Sequence, residues 1–208
     1  MQTESTIEDW LDALASDAPT PGGGAAAALS GAMAAALVAM ICRFTIGRPR
    51  YARFQIELKE IFVKSEILRQ QLEESIEADV VAYGNVIAAR KLDRSTPESV
   101  LLRSHVLQAS LFDAASVPLE TARLASEVVE IAGIIAEKGN RNLLSDASVA
   151  ITLAVSSAVA AAANVRANLP FLSDETQKQE LAGAVSAILE RVERARISAM
   201  IHLEQLAI

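Results

Sequence analysis

The sequence has 208 residues, a net charge of −7 and one cysteine, Cys42. A chain of this length can bury one sizeable core; the acidic charge argues against a general nucleic-acid binder, and a single cysteine excludes an internal disulfide. Half of the residues are apolar and only 4% are aromatic, with alanine, the best helix former, prominent. We therefore predict an all-α, single-domain protein over residues 1–208, built as a bundle of long antiparallel helices.

The first elements are a short helix and a long uncharged one. The segment STIEDWLDALAS predicts an amphipathic helix capped by Ser5 or Thr6. A loop over residues 17–21 leads to three glycines, which open a helix over residues 24–45 that stops at Gly47. Because the polar, acidic N-terminus does not resemble a signal peptide, we expect a cytoplasmic protein.

Two amphipathic helices follow, on either side of a break at DRSTPES. The first runs from Tyr51 to Lys91. Thr96 as N-cap and Pro97 at the first helical position begin the second, which extends towards Glu137. We expect Pro118 to kink or split this helix, because proline has no N–H donor and its ring collides with the preceding turn.

The last third of the chain again has an uncharged helix followed by a charged one. After the loop EKGNRNLLSD, Ser145 is expected to cap a second uncharged helix over residues 147–168, and a charged helix follows over residues 174–206. Both uncharged helices reach the length of a membrane span, but they are rich in alanine, serine and glycine and lack flanking aromatic belts. We therefore expect no membrane partner: both should be mostly buried in protein, and the amphipathic helices should form an outer layer and a dimer interface.

The glycine turn Gly22, Gly23 and Gly24 has two explanations from the residues alone. It is not a nucleotide-binding loop, because a Walker loop ends in Gly-Lys-Ser/Thr and a Rossmann loop follows a strand. Glycines at a helix start leave backbone N–H groups open to a ligand, and this favours a binding site. The alternative is a tight turn by which the chain enters a crowded bundle.

PTPGGGAAAALSGAMAAALVAMICRFTIG resembles the cyclodeaminase domain of the formiminotransferase-cyclodeaminase family, and its stand-alone cyclohydrolase members still more closely. The likeness continues through DVVAYGNVIAARKL, SVPLETA, EKGNRNLLSDASVAI and AAANVRANL. It implies an all-α homodimer that hydrolyses 5,10-methenyltetrahydrofolate to 10-formyltetrahydrofolate without a metal or redox cofactor. The alternatives are a formiminotetrahydrofolate cyclodeaminase that releases ammonia, and a folate-binding or structural helical dimer without activity.

The resemblance assigns proton transfer to Asp79. The helical pattern places Asp79 beside Tyr83 at the edge of an apolar stripe, where partial burial raises the pKa of a carboxyl group. Lys91 stands in the altered segment RKLDRST, where the family carries a basic residue. We expect Lys91, or its neighbours Arg90 and Arg94, to hold a glutamate carboxylate of the folate tail.

The other candidate substrate-binding residues are polar groups at helix ends or inside an apolar helix. They are Arg48, Asn140, Asn142, Ser145, Asp146 and Asn164. Arg48 has capping of a helix C-terminus as its alternative role, and Ser145 and Asp146 also suit a helix start. Asn164 and, one turn later, Asn168 can meet a pterin edge or bond between helices.

Metal and nucleophile chemistry have no support in the sequence. The two histidines, His105 and His202, stand without spaced Cys, His or Asp ligands. No Gly-x-Ser-x-Gly elbow follows a strand. Cys42 lies within the uncharged run and fits a small buried side chain.

Overall fold

The structure is a computed structural model that describes residues 6–206, with side chains as far as Leu203. Its helices are α1 (Ile7–Ala15), α2 (Gly23–Thr45), α3 (Gln55–Arg90), α4 (Pro97–Lys138), α5 (Leu144–Asn168) and α6 (Glu175–Leu206), and short 3-10 turns precede α3, α5 and α6. The described part contains no strand. The predicted all-α fold is confirmed; the dimer and the single domain over residues 1–208 remain predictions.

Two helix starts, those of α1 and α4, follow the predicted capping residues. The Asp9 and Ser99 N–H groups donate to Thr6 and Thr96 Oγ1, each at 3.1 Å. The alternative cap, Ser5, lies outside the described residues. The prediction that Ser145 caps α5 is wrong, because a 3-10 turn at residues 141–143 leads directly into the helix and places Ser145 in its first turn.

The fourth helix continues through Pro118 and is not split there. Proline cannot donate to the carbonyl of the residue four positions earlier, which is Ala114. The side-chain amide of Asn168 on α5 donates to that carbonyl at 2.9 Å and replaces the missing bond. The helix therefore tolerates its buried proline. Of the two predicted effects, the split is wrong and the kink stays a prediction.

The second and fifth helices pack closely and antiparallel. Ser157 Oγ donates to the Ala27 carbonyl at 2.7 Å, and Ser30 Oγ donates to the Leu153 carbonyl at 3.1 Å. The small side chains of both helices permit this approach. α4 lies behind the pair and also packs against α3 and α6, with buried residues along most of its length.

The two uncharged helices differ in burial. In α2, 13 of 23 residues are buried, as predicted, but in α5 only nine of 25 are. The prediction for α5 is wrong because α2, α4 and α6 leave one side of it uncovered. α2 is open on the same side of the bundle. We call this surface the apolar face; it comprises Met33, Ala36, Phe44, Val149, Thr152, Ser156, Val159 and Ala163.

By length and hydropathy alone, two segments could cross a membrane. They are Gly23–Thr45 and Arg141–Phe171, and 61% and 44% of their most apolar windows are buried inside the bundle. Core helices of globular proteins have the same composition. The expectation that the protein has no membrane partner stays a prediction, which the packing against α3 and α4 favours.

Candidate functional site

A cavity of about 420 Å³ opens at the end of the bundle where α2 begins. Its walls come from the start of α2, the second half of α3, the middle of α4 and the end of α5. Its volume lies in the usual range for small-molecule sites. Six of the twelve site residues predicted from the sequence line it: Gly22, Gly23, Gly24, Asp79, Tyr83 and Asn164.

The Asp79 carboxylate is held against the first turn of α2. The Ala25 N–H donates to Asp79 Oδ2 at 3.0 Å. A Cβ atom at Gly24 would overlap the carboxyl group, so only glycine permits this approach. Partial burial raises the pKa of Asp79, and the Ala25 hydrogen bond opposes that rise. The arrangement leaves Oδ1 without a donor among the described residues, as an atom that can exchange a proton with a ligand.

Two side chains near Asp79 add aromatic and amide surface. Tyr83 lies one helical turn after Asp79, and 42% of its surface is exposed. Across the cavity, Asn164 Nδ2 donates to the Ala160 carbonyl at 2.9 Å. A Cβ atom at Gly23 would sit at 3.6 Å from this amide, an ordinary contact. Gly23 is thus less tightly restricted than Gly24.

The positive charge that lines the cavity is Arg90 and not the predicted Lys91. Lys91 is exposed beyond the last turn of α3. Arg90 shares one face of α3 with Asp79, Tyr83 and Val86, because these positions follow the spacing i, i+4, i+7 and i+11. That spacing was visible in the sequence and would have selected Arg90 from its neighbours.

The cavity is also lined by Asn168, which was considered together with Asn164, and by Phe171, which was not predicted as a site residue. Asn168 follows Asn164 by one turn of α5, and its amide bonds to α4. Phe171 lies in the turn after α5 and is more than half exposed. A position in such a turn gives no periodic signal, so the sequence offered no means to select Phe171.

Arg48 lies at the far end of α2. The 22 steps of this helix correspond to about 33 Å at the usual rise of an α-helix. Arg48 Nε donates to the Phe44 carbonyl at 2.9 Å, which is the capping contact considered as its alternative role. Within one chain Arg48 does not reach the cavity, and its role in substrate binding stays a prediction.

The distal loop, residues 139–146, lies at the same far end. The Asn140 N–H donates to Thr45 Oγ1 at 3.0 Å, and Asn140 Oδ1 accepts from the Asn142 N–H at 3.1 Å and from Tyr51 Oη at 3.4 Å. These bonds tie the loop to the end of α2. Asn140, Asn142, Ser145 and Asp146 therefore lie together, but not at the cavity of the same chain.

Among the described residues, no group of three or more His, Cys, Asp or Glu side chains is placed to hold a metal ion. The expectation of chemistry without a metal stays a prediction. Burial raises the pKa of the Cys42 thiol to about 12, which makes it a poor nucleophile near neutral pH.

Comparisons with known proteins identify relatives of this chain. The chain is 44% identical over 199 residues to a methenyltetrahydrofolate cyclohydrolase of Methylorubrum extorquens, covering 92% of this chain and 96% of that protein. A crystal structure of formiminotetrahydrofolate cyclodeaminase from Thermotoga maritima superimposes with a TM-score of 0.88 and 29% identity, over 99% of this chain and 98% of that one.

A longer relative shares the same region. The formimidoyltransferase-cyclodeaminase of Rattus norvegicus is 28% identical over 187 residues, which are 90% of this chain but 35% of the rat protein. The sequence profile described as formiminotransferase-cyclodeaminase matches residues 6–187. The relatives are named as enzymes, and the match spans all four helices that line the cavity. The chain belongs to the formiminotransferase-cyclodeaminase family.

Proposed function

We propose that the protein hydrolyses 5,10-methenyltetrahydrofolate to 10-formyltetrahydrofolate. The observation that carries the proposal is the half-buried Asp79 carboxyl group, whose pKa is raised, in a cavity with one cationic side chain, Arg90. The ligand has matching charges, a cationic amidinium carbon and a glutamate tail. The 44% identity to a cyclohydrolase supports this choice within the family.

The reaction needs one group that moves protons. Water adds to the amidinium carbon between N5 and N10, and Asp79 accepts the proton that the water loses. The tetrahedral adduct then loses its hydroxyl proton as the carbonyl forms, the bond from carbon to N5 breaks, and N5 takes up a proton. The net reaction consumes one water and releases one proton. A carboxylate of raised pKa serves both transfers and stabilises the cation before attack.

The position of Arg90 orients the substrate along α3. Arg90 lies eleven positions after Asp79, about 16 Å along a helix. Between them Tyr83 and Val86 provide a surface for the aromatic part of the ligand. With the reacting carbon at Asp79, the glutamate tail extends to the Arg90 guanidinium. A guanidinium can bind a carboxylate through two parallel N–H groups, which the compact charge of a lysine ammonium group cannot do.

A second candidate reaction is the cyclodeamination of 5-formiminotetrahydrofolate, favoured by the similarity to the Thermotoga enzyme of that name. In that reaction N10 attacks the formimino carbon and ammonia leaves. Purified protein should be assayed with methenyltetrahydrofolate by loss of its absorbance, and with formiminotetrahydrofolate by ammonia release. We expect turnover in the first assay above the uncatalysed rate. Turnover in the second alone would favour the deaminase, and none in either would favour a binding protein.

The proposed chemistry requires no metal or redox cofactor, because each step is a proton transfer or an addition to carbon. Dialysis against a chelator should leave the turnover rate unchanged. A loss of activity that Zn²⁺ or Mg²⁺ restores would contradict this part of the proposal. The cytoplasmic location and the lack of a nucleic-acid partner remain expectations from the sequence.

We further propose a homodimer formed through the apolar face. Val149 and Val159 are 49% and 51% exposed, and no charged residue lies between Asp146 and Arg166 on this side of α5. A twofold axis lets one such surface cover its own copy, which is the commonest arrangement of soluble oligomers. Pairing of α2 and α5 with their copies in antiparallel directions would move the partner's distal loop towards the cavity, and thus give Asn142 and Asp146 access to the substrate.

The dimer is tested by placing a charge on the apolar face. Val159→Arg should convert the protein to monomers at micromolar concentration in sedimentation velocity, because a buried unpaired charge disfavours association. Val63→Arg, at an exposed valine of α3 outside the face, is the matched control and should stay dimeric. A monomeric wild-type protein, or a dimeric Val159→Arg variant, would contradict the proposed interface.

A further inference from the structure

Pro118 leaves one backbone carbonyl of α4 without its helical partner. In an α-helix the N–H of each residue donates to the carbonyl four residues earlier, so the N–H of residue 118 would donate to the Ala114 carbonyl. Proline has no N–H to donate. Both Ala114 and Pro118 line the cavity. The result is an acceptor at the cavity wall that needs a donor from another element.

Asn168 supplies that donor, and in doing so its amide acquires a fixed orientation. Its Nδ2 donates to the Ala114 carbonyl at 2.9 Å and to the Asn164 carbonyl at 3.1 Å. Both acceptors are carbonyl oxygens, which cannot donate, so the nitrogen must face them. The bonds use both N–H groups of the amide. The remaining polar atom of Asn168 is therefore Oδ1, which can only accept.

This Oδ1 is an accessible atom of a residue in the cavity wall. In the described part of the chain, every buried side-chain nitrogen or oxygen has a hydrogen-bond partner. Asn168 Oδ1 has no partner among those residues, so it belongs to the accessible atoms of a residue that lines the cavity. Asn164, one turn earlier, has its Nδ2 similarly bound to the Ala160 carbonyl. The α5 wall thus presents two acceptor oxygens about 6 Å apart, the spacing of one helical turn.

We propose that Pro118 is a positioning residue for substrate recognition, which acts through Asn168. Because Pro118 has no N–H group, the Ala114 carbonyl accepts from the Asn168 amide instead, and Oδ1 of that amide is directed at the ligand. The ligand groups that fit two acceptors are N–H donors, and a reduced pterin offers its amino group and its ring N–H groups. The assignment of the ligand rests on the proposed function, whereas the orientation of the amide rests on the hydrogen bonds alone.

The test restores the missing donor. In Pro118→Ala the new N–H bonds to the Ala114 carbonyl and displaces the Asn168 amide from it, so that only the bond to the Asn164 carbonyl remains and the direction of Oδ1 is no longer fixed. The KM for methenyltetrahydrofolate should rise about 3- to 10-fold, the effect of one net hydrogen bond, while kcat stays within about twofold. Pro97→Ala, at the other proline of α4, is the matched control and should leave KM unchanged. An unchanged KM in Pro118→Ala would overturn the proposal.

A double-mutant cycle separates this role from simple packing. Asn168→Ala should raise KM by a similar factor, and Pro118→Ala added to it should raise KM no further, because both changes remove the same contact. Independent, multiplying effects would overturn the claim that the proline acts through the amide. The side chain of alanine favours a helix, so both variants are expected to fold.

The orientation is also measurable without substrate. The side-chain amide protons of Asn168, observed by NMR in labelled protein, should exchange slowly with water in the wild type and in Pro97→Ala, and quickly in Pro118→Ala. Equal exchange in all three would overturn the orientation. A wild-type protein that turned over no folate would instead refute the proposed function, and with it the pterin as the ligand.

Discussion

Replacing Gly24 with alanine tests the link between the glycine turn and the carboxylate. The new Cβ would overlap the Asp79 carboxyl group, so the side chain must move and give up its bond from the Ala25 N–H. A hydrogen bond to a charged group contributes about 1.5–3 kcal/mol, and glycine to alanine in a helix returns about 0.5–1 kcal/mol. The net loss of unfolding free energy is therefore about 0.5–2.5 kcal/mol, a decrease in Tm of about 1–10 °C for a chain of this size.

The loss of activity should be larger than the loss of stability. If Asp79 transfers protons, its displacement should lower kcat by about 10²- to 10⁴-fold. The matched control is Gly183→Ala in α6, where a Cβ would meet nothing within 4 Å. It should keep full activity and raise Tm slightly. Turnover of Gly24→Ala within about threefold of wild type, in a folded protein, would refute the role of this turn in holding the carboxylate.

Two further predictions concern charge. Arg90→Gln should raise KM about 3- to 10-fold with little change in kcat, because the contact with the folate tail is lost. A raised KM in Lys91→Gln and an unchanged KM in Arg90→Gln would instead favour Lys91, the residue predicted from the sequence. The acid limb of the pH profile of kcat/KM should lie above pH 3.8, the ordinary value for Asp79, because burial raises its pKa. Between pH 3.8 and the raised pKa, Asp79 is protonated in the folded state and ionised in the unfolded chain. The unfolding free energy should therefore fall as pH rises through this range. Asp79→Asn should abolish this dependence on pH.

The helices, and the part of the site at the start of α2 and on α3, could be predicted from the sequence for physical reasons. Local signals define the helix bounds: Thr6 and Thr96 cap, and Pro97 starts a helix. Asp79 and Tyr83 share a helical face, so their common exposure to one cavity could be expected. The family resemblance selected both Gly24 and Asp79, but only the structure shows that they touch and that a Cβ at Gly24 would not fit.

The remaining features depend on contacts between distant segments. A proline in a helix predicts an unbonded carbonyl four residues earlier, yet nothing local predicts that Asn168, 54 residues away, supplies the donor. The exposed side of α5 was also missed, because alanine-rich composition does not distinguish a helix covered on all sides from one left open for another chain. The distal loop motif was read as part of the site, but its bonds to Thr45 and Tyr51 place it at the other end of α2.

The central claim is that Asp79 transfers the proton, and Asp79→Asn tests it most directly. The variant keeps the shape of the side chain and an acceptor for the Ala25 N–H, but it cannot carry a proton. Single-turnover measurements with methenyltetrahydrofolate should show a rate lower by about 10²- to 10⁴-fold, with a smaller change in substrate binding. Asp113→Asn, at an exposed aspartate of α4, is the matched control and should match wild type. A folded Asp79→Asn protein that turns over within a few-fold of wild type would contradict the account.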